Sequence, residues 1–320
     1  MHFSLLFTSI LGITATASSQ ILSSSLTHIP SFGPNPRNVS MYIYVPKTLA
    51  PKPPILAIPH WCHGTAQAAF VGSPYASLSD TYGFISIYPS SPNTADQCWD
   101  VSSNASLTHQ GGGDALGIVS MVRWALEKYG GDRERVFVMG TSSGAMMTNV
   151  LLGSYPDVFA AGSAFAGVPF GCFAGPGFDY WSDECAKGKI VKNGTEWAAM
   201  VRNAYPGYTG FRPKMQVFHG TADTVLDPQN LEEETKQWTS VFGISETPKR
   251  VDKDTPLKGW TKSIYGDGGR FEAYEAEGVT HDIPNQVDVV MEWFDLKCKS
   301  GNGTMCFSRK SGMYNKLVAE

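Results

Sequence analysis

The stretch from Arg135 to Asn149, RVFVMGTSSGAMMTN, restricts the fold more than any other. Val136-Phe137-Val138-Met139 is a short apolar run of the kind that forms a buried strand. The chain then turns through Gly140-Thr141-Ser142-Ser143-Gly144 and enters a helix-compatible segment from Ala145. Strand, tight turn and helix are the context in which G-x-S-x-G presents a serine as a nucleophile. Without a Cβ, Gly140 and Gly144 let the backbone take strained dihedrals and let strand and helix pack closely. Ser142 then stands over the amide of Ser143 and the positive end of the following helix, a setting suited to attack on an ester carbonyl. The chain holds 33 glycines, so the pattern alone is weak and its context carries it.

Apolar runs and helical periods alternate around that stretch. Ser40 to Pro46 alternates and ends at proline, which predicts an early antiparallel strand. Ile55-Leu56-Ala57-Ile58-Pro59 and Gly83 to Pro89 read as further strands, with a helix over Pro74 to Tyr82 between them. Asn93 to Gly113 is polar and Gly-rich, a surface loop carrying Cys98 and Trp99. Leu116, Val119, Val122, Leu126 and Tyr129 give a helical period over Asp114 to Tyr129, with Asp114 as its cap. Strands follow at Ala161 to Gly167, Met215 to His219 and Arg270 to Ala276, and helices at Pro228 to Phe242 and Val287 to Leu296. From Pro169 to Phe211 the periodicity fades, which reads as a long insertion over the sheet edge. Alternation of this kind predicts an α/β chain with a mostly parallel central sheet and helices on both faces.

A serine nucleophile needs a base and an acid, in the order Ser, Asp or Glu, His when the site sits on an α/β-hydrolase sheet. His281, in the turn after the last strand, is the candidate base. Asp223, just past the 215–219 strand, is the candidate acid that orients the imidazole, with Asp227 as its rival. His60, His63 and His219 lie near strand ends, where they line a site without serving as base. The second oxyanion donor should come from the loop His60-Trp61-Cys62-His63-Gly64, so the backbone N–H groups of Cys62 and Ser143 are the candidate pair.

The N-terminus, MHFSLLFTSILGITATASS, has a short apolar core ending in small residues, and Ala15-Thr16-Ala17 fits a signal-peptidase site. Residues 1–17 read as a secretory signal, with 1–19 as the alternative, residues 18–297 as one catalytic domain and 298–320 as a short polar tail. No later run approaches the ~18 apolar residues of a membrane span. Sequons at Asn38, Asn104, Asn193 and Asn302 suit a secreted glycoprotein. In that setting the six cysteines read as disulfides rather than metal ligands. The local pairs Cys62 with Cys98, Cys172 with Cys185, and Cys298 with Cys306 are favoured among the alternatives. No metal or cofactor is expected, and a net charge of −4 argues against a nucleic-acid partner. A monomer is expected.

The chain resembles the fungal secreted esterases of carbohydrate esterase family one, a group related to poly(3-hydroxybutyrate) depolymerases. The resemblance runs from about Leu26 to Leu296. It is carried by Asn38 to Pro46, Cys62-His63-Gly64-Thr65-Ala66-Gln67, Cys98 to Ser103, Leu107 to Asp114, the Ser142 turn and Ala204 to Gly210. It implies an α/β-hydrolase fold, the triad Ser142, Asp223 and His281, and Trp181 on the insertion as a sugar contact. The Cys62 loop, Gly72 to Tyr75 and Cys98-Trp99-Asp100 look more like the acetylxylan esterase branch than the type B feruloyl esterases. The implied reaction is removal of O-acetyl groups from acetylated xylan or xylo-oligosaccharides by an extracellular enzyme, with Trp99 and Trp181 as shallow contacts to the polymer. The other activities weighed are a feruloyl esterase, a polyester depolymerase and a non-catalytic carbohydrate-binding protein. Two departures from the family are Thr280, where relatives more often carry glycine before the histidine, and a C-terminus without a cellulose-binding module.

Overall fold

The computed structural model describes residues 22–267, 269–298 and 306–310. The expected signal segment 1–17, Asn302 and most of the expected 298–320 tail lie outside the described residues.

The strands are β1 (Thr27–Ile29), β2 (Ser40–Tyr44), β3 (Ile55–Ala57), β4 (Ile85–Ser90), β5 (Val136–Thr141), β6 (Ala161–Phe165), β7 (Lys214–Gly220), β8 (Arg250–Lys253), β9 (Trp260–Tyr265) and β10 (Phe271–Ala276). They form one sheet in the order β1-β2-β4-β3-β5-β6-β7-β10-β9-β8. From β4 to β10 every neighbouring pair is parallel, while β1, β2, β8 and β9 add antiparallel edges.

The helices are α1 (Ala66–Val71), α2 (Tyr75–Tyr82), α3 (Asn104–Leu107), α4 (Asp114–Tyr129), α5 (Ser143–Ser154), α6 (Asp183–Ala186), α7 (Gly194–Asn203), α8 (Gln229–Phe242) and α9 (Val287–Trp293). The period-2 geometry of strands sends alternate residues to opposite faces, so a strand covered on both sides is apolar throughout. In β5, Val136 and Val138 pack into the core beneath α4, α5 and α8, while Phe137 and Met139 pack with α1, α2 and α9. Met215 and Val217 repeat the division against Phe218 in β7. Register aligns Phe165, Phe218 and Tyr274 across three strands, and their rings stack at 4.1 and 4.3 Å. Those stacked rings stiffen the end of the sheet from which the loops carrying Asp223 and His281 leave.

The structure departs from the sequence pattern at three elements. Asp114 does not cap α4: Gly113 is the N-cap, and Asp114 is the first helical residue, its Oδ2 accepting the amide of Asp100 at 3.0 Å. The segment after Pro169 is less irregular than its periodicity suggests. It holds α6 and α7, and α7 opens with a capping box in which Asn193 and Glu196 satisfy each other's amides. The hairpin of β8 and β9 extends the sheet beyond the strands expected from periodicity. The cysteines form the bridges Cys62–Cys98, Cys172–Cys185 and Cys298–Cys306. Among the described residues, no helix is long and apolar enough to cross a membrane. Asn38, Asn104 and Asn193 are exposed.

Candidate active site

Ser142 sits between β5 and α5 with φ 56° and ψ −122°, a conformation that non-glycine residues seldom adopt. Such strain costs roughly 1–3 kcal/mol and persists only where the surroundings impose it. Here they do. A Cβ on Gly140 would lie 2.4 Å from the carbonyl of Gly144, and one on Gly144 only 2.2 Å from the carbonyl oxygen of Pro59. Only glycines allow this approach of strand, helix and the 59–60 backbone, and the approach forces the sharp turn at Ser142.

The loops carrying Asp223 and His281 are stitched together at the ends of β7 and β10. The amide of Ala222 donates to the carbonyl of Val279 at 2.9 Å, and that of Gly278 to Thr221 Oγ1 at 2.9 Å. A Cβ on Gly220 would lie 2.1 Å from that same Val279 carbonyl oxygen, so the contact requires glycine. With the loops fixed, His281 Nδ1 lies 2.7 Å from Asp223 Oδ2 and His281 Nε2 lies 2.8 Å from Ser142 Oγ. A carboxylate only accepts, so Nδ1 carries the proton and the Nε2 lone pair faces the serine hydroxyl. Asp223 Oδ1 accepts the amides of Val225 and Leu226, each at 2.9 Å. Burial alone would raise the Asp223 carboxyl, but donors from His219, His281 and the Leu226 amide outweigh it and hold the group well below the usual carboxylate range. The rival Asp227 is committed elsewhere, its Oδ1 accepting the Gln229 amide at the start of α8.

The amides of Cys62 and Ser143 have no protein acceptor among the described residues. Cys62 is held by its bridge to Cys98, and the next residue along, Trp99, donates its amide to Ser143 Oγ at 2.8 Å. The Trp99 indole N–H donates to the His60 carbonyl at 2.7 Å. Trp99, expected as a contact to the polymer, is instead 3% exposed and wedges the Cys98 loop against the 60–62 backbone and the start of α5. Sequence shows a tryptophan in a polar loop; only the disulfide and the folded-over loop reveal what covers it.

A cavity of about 630 Å³ opens over Ser142. Ile58, Met139 and Ile283 give it an apolar wall, and Trp61, Trp181 and Val225 stand at its rim. Trp181 is 45% exposed, packed edge-on against Phe173 at 5.1 Å with its N–H on Asp183. Trp61, which sequence reading did not single out, is 40% exposed. His63 also lines the cavity. His60 lines it as well, but its Nε2 accepts the amide of Ser91 at 3.1 Å and its Nδ1–H donates to the Trp61 carbonyl at 2.7 Å, so it is a neutral structural residue. Burial pushes its imidazole down, in keeping with that role. His219 does not line the cavity as expected; it is buried beneath Asp223.

Chemically, this arrangement can deprotonate a serine hydroxyl, carry the proton on an oriented imidazole and offer backbone donors to a developing oxyanion. The profile of the family described as "Esterase PHB depolymerase" matches residues 39–252. Feruloyl esterase B of Talaromyces stipitatus is 48% identical over 86% of this chain and 77% of its own length. Acetylxylan esterase A of Emericella nidulans is 48% identical over 84% of this chain and 88% of its own. The solved structure of an acetyl xylan esterase from Aspergillus awamori superposes with a TM-score of 0.83 at 46% identity, covering 85% of this chain and all of that one.

Proposed function

Because the chain belongs to the esterase PHB depolymerase family and has an α/β-hydrolase fold, we propose that it is a secreted serine esterase that removes O-acetyl groups from xylan-type hemicellulose. The observation that carries the mechanism is the unbroken chain of contacts from Ser142 through His281 to Asp223. Ser142 Oγ attacks the acetyl carbonyl as His281 Nε2 takes its proton. The tetrahedral oxyanion is received by the amides of Cys62 and Ser143, backed by the positive end of α5. Collapse expels the sugar hydroxyl, which takes the proton from His281. Water then attacks the acyl carbon as His281 takes its proton, and collapse breaks the bond to Ser142 Oγ, which takes the proton back from His281 as acetate leaves. Asp223 keeps Nδ1–H in place and balances the imidazolium in both halves.

The open rim suits a polymer. Trp181 presents a free indole face, against which the apolar face of a xylose ring packs, and the sugar chain runs across the mouth while only the acyl group enters. No cofactor enters this scheme, and one chain contains every group it uses. Secretion fits the signal-like N-terminus and a chain stapled by disulfides.

A second reading is favoured by one observation. The cavity, at about 630 Å³ with an apolar wall, exceeds what an acetyl group fills, and hydroxycinnamoyl esters are the larger acyl class that fits such a wall. The deciding experiment compares kcat/KM on acetylated xylan and on methyl ferulate. A higher value for the acetyl substrate supports deacetylation; a higher value for the ferulate moves the assignment to a feruloyl esterase.

A further inference from the structure

Beneath Asp223 lies a buried set of polar side chains that the triad chemistry does not use. His219, near the end of β7, is 1% exposed, and its Nε2 lies 2.9 Å from the Leu226 carbonyl and 3.3 Å from Asp223 Oδ2. Both neighbours accept, so Nε2 carries the proton. His219 Nδ1 is buried without a hydrogen-bond partner among the described residues. Glu234, inside α8, is fully buried. Its Oε1 accepts from Asn149 at 2.7 Å, while its Oε2 is also unpartnered. Asn149 sits in α5, the helix that starts at the nucleophile turn, and is fixed by the indole N–H of Trp238 at 2.7 Å.

An unsatisfied buried polar atom costs roughly 1–3 kcal/mol, and a buried water commonly satisfies two or more such atoms. His219 and Glu234 also act on each other. Burial pushes the Glu234 carboxyl up to about 7, and nearby His219 draws it back. Burial opposes the charged form of His219, yet Asp223, the Leu226 carbonyl and Glu234 together raise it. The ionisable groups that act on the pair are Asp223 on His219 and each partner on the other; Asn149 is neutral.

We propose that His219 and Glu234 are positioning residues of the triad, joined by one buried water between His219 Nδ1 and Glu234 Oε2. The imidazole is then anchored on both sides, and its Nε2–H stays aimed at Asp223 Oδ2. With the Val225 and Leu226 amides on Oδ1 and His219 and His281 on Oδ2, the carboxylate has no freedom to rotate as His281 takes and returns the serine proton. The network also ties the acid loop, through Glu234 and Asn149, to the helix that carries the nucleophile. This inference rests on the serine-esterase reading above.

The test uses the full chain with His219→Met, which removes the donor, His219→Gln, which can restore an N–H toward Asp223, and the isosteric Glu234→Gln. Thermal unfolding is followed beside kcat, KM and the pH profile on p-nitrophenyl acetate. For His219→Met the expected result is a roughly 10-fold lower kcat with KM nearly unchanged. The acidic limb of its profile should move to higher pH, because the Asp223 carboxylate then has one donor fewer. His219→Gln should recover most of kcat, and Glu234→Gln should lose several-fold without a matching loss of Tm. A folded His219→Met with wild-type kcat and acidic limb overturns the proposal, as does equal impairment by Met and Gln. Should His219→Met fail to fold, wild-type kcat and pH profile in Glu234→Gln overturn it alone. Ser142→Ala in the same assay separates the two readings: retained activity overturns both, whereas its loss beside unaffected His219 and Glu234 variants overturns only this one.

Discussion

Gly144→Ala probes the elbow where its geometry is tightest. The added methyl would lie 2.2 Å from the carbonyl oxygen of Pro59 and 2.9 Å from that of His60. Both are backbone atoms, so no side chain can swing aside, and α5 and the 59–62 segment must part by about 1 Å to restore van der Waals contact. Replacing a helical glycine with alanine would by itself favour the helix by about 1 kcal/mol. Overpacking of this kind costs about 1–3 kcal/mol, so the clash wins and a net loss of about 1 kcal/mol is expected. The larger effect falls on activity, because the displaced segment carries the Cys62 amide. A misplacement of ~1 Å in a catalytic constellation costs on the order of 100-fold, and kcat on p-nitrophenyl acetate should fall by that much while the far-UV spectrum stays native. Gly130→Ala is the control: a Cβ there meets nothing within 4 Å, its φ of +63° carries the only penalty, and it should lose stability but not kcat. Wild-type kcat in a folded Gly144→Ala protein would refute the view that this contact sets the oxyanion geometry.

Asp223→Asn would place an N–H donor against His281 Nδ1–H, turn the ring to the wrong tautomer and lower kcat by about 10³–10⁴-fold; a loss under tenfold would contradict the assigned role. The same residue predicts a pH effect. Its folded carboxyl titrates below its unfolded value of about 3.9, so its stabilisation is fully present above that value and is lost as pH falls toward the folded one. Urea midpoints taken at pH 7 and pH 3 should therefore drop further for wild type than for Asp223→Asn. Trp181→Ala should raise KM on acetylated xylan roughly fivefold, the equivalent of about 1 kcal/mol of lost ring contact, while leaving p-nitrophenyl acetate within about twofold. Replacing Cys62 and Cys98 by serine opens a cross-link spanning 36 residues and should cost about 4 kcal/mol in chemical denaturation on the chain-entropy model.

The parts of the site legible in sequence are those where local chemistry leaves few choices. Val136 to Met139 cannot be solvated, and the glycines flanking Ser142 permit one kind of turn, so strand, elbow and helix follow from neighbouring residues alone. Asp223 and His281 are readable because one lies just past the 215–219 strand and the other in the turn between the last strand and the last helix. Trp99 is misread because its burial comes from the Cys62–Cys98 bridge folding a polar loop over it, which no local pattern records. His219 is misplaced for a related reason. Every residue of β7 is buried, so the strand shows no alternation to tell which side chains face the cavity and which lie beneath it. The β8 strand, RVDK, is mostly exposed and polar and offers no core-facing pattern. In α7 the signal was present: Asn193 followed by Glu196 is a capping box that surrounding glycines and aromatics obscure.

In the proposed reaction Ser142 attacks an acetyl ester and carries the acyl group. Acetate release from acetylated xylan by wild type and Ser142→Ala, with intact mass measured after acid quench, tests it most directly. An acetyl adduct is expected on the wild-type protein and none on the variant, with a fall in kcat of about 10⁴-fold or more. Acetate release by Ser142→Ala within tenfold of wild type would contradict it.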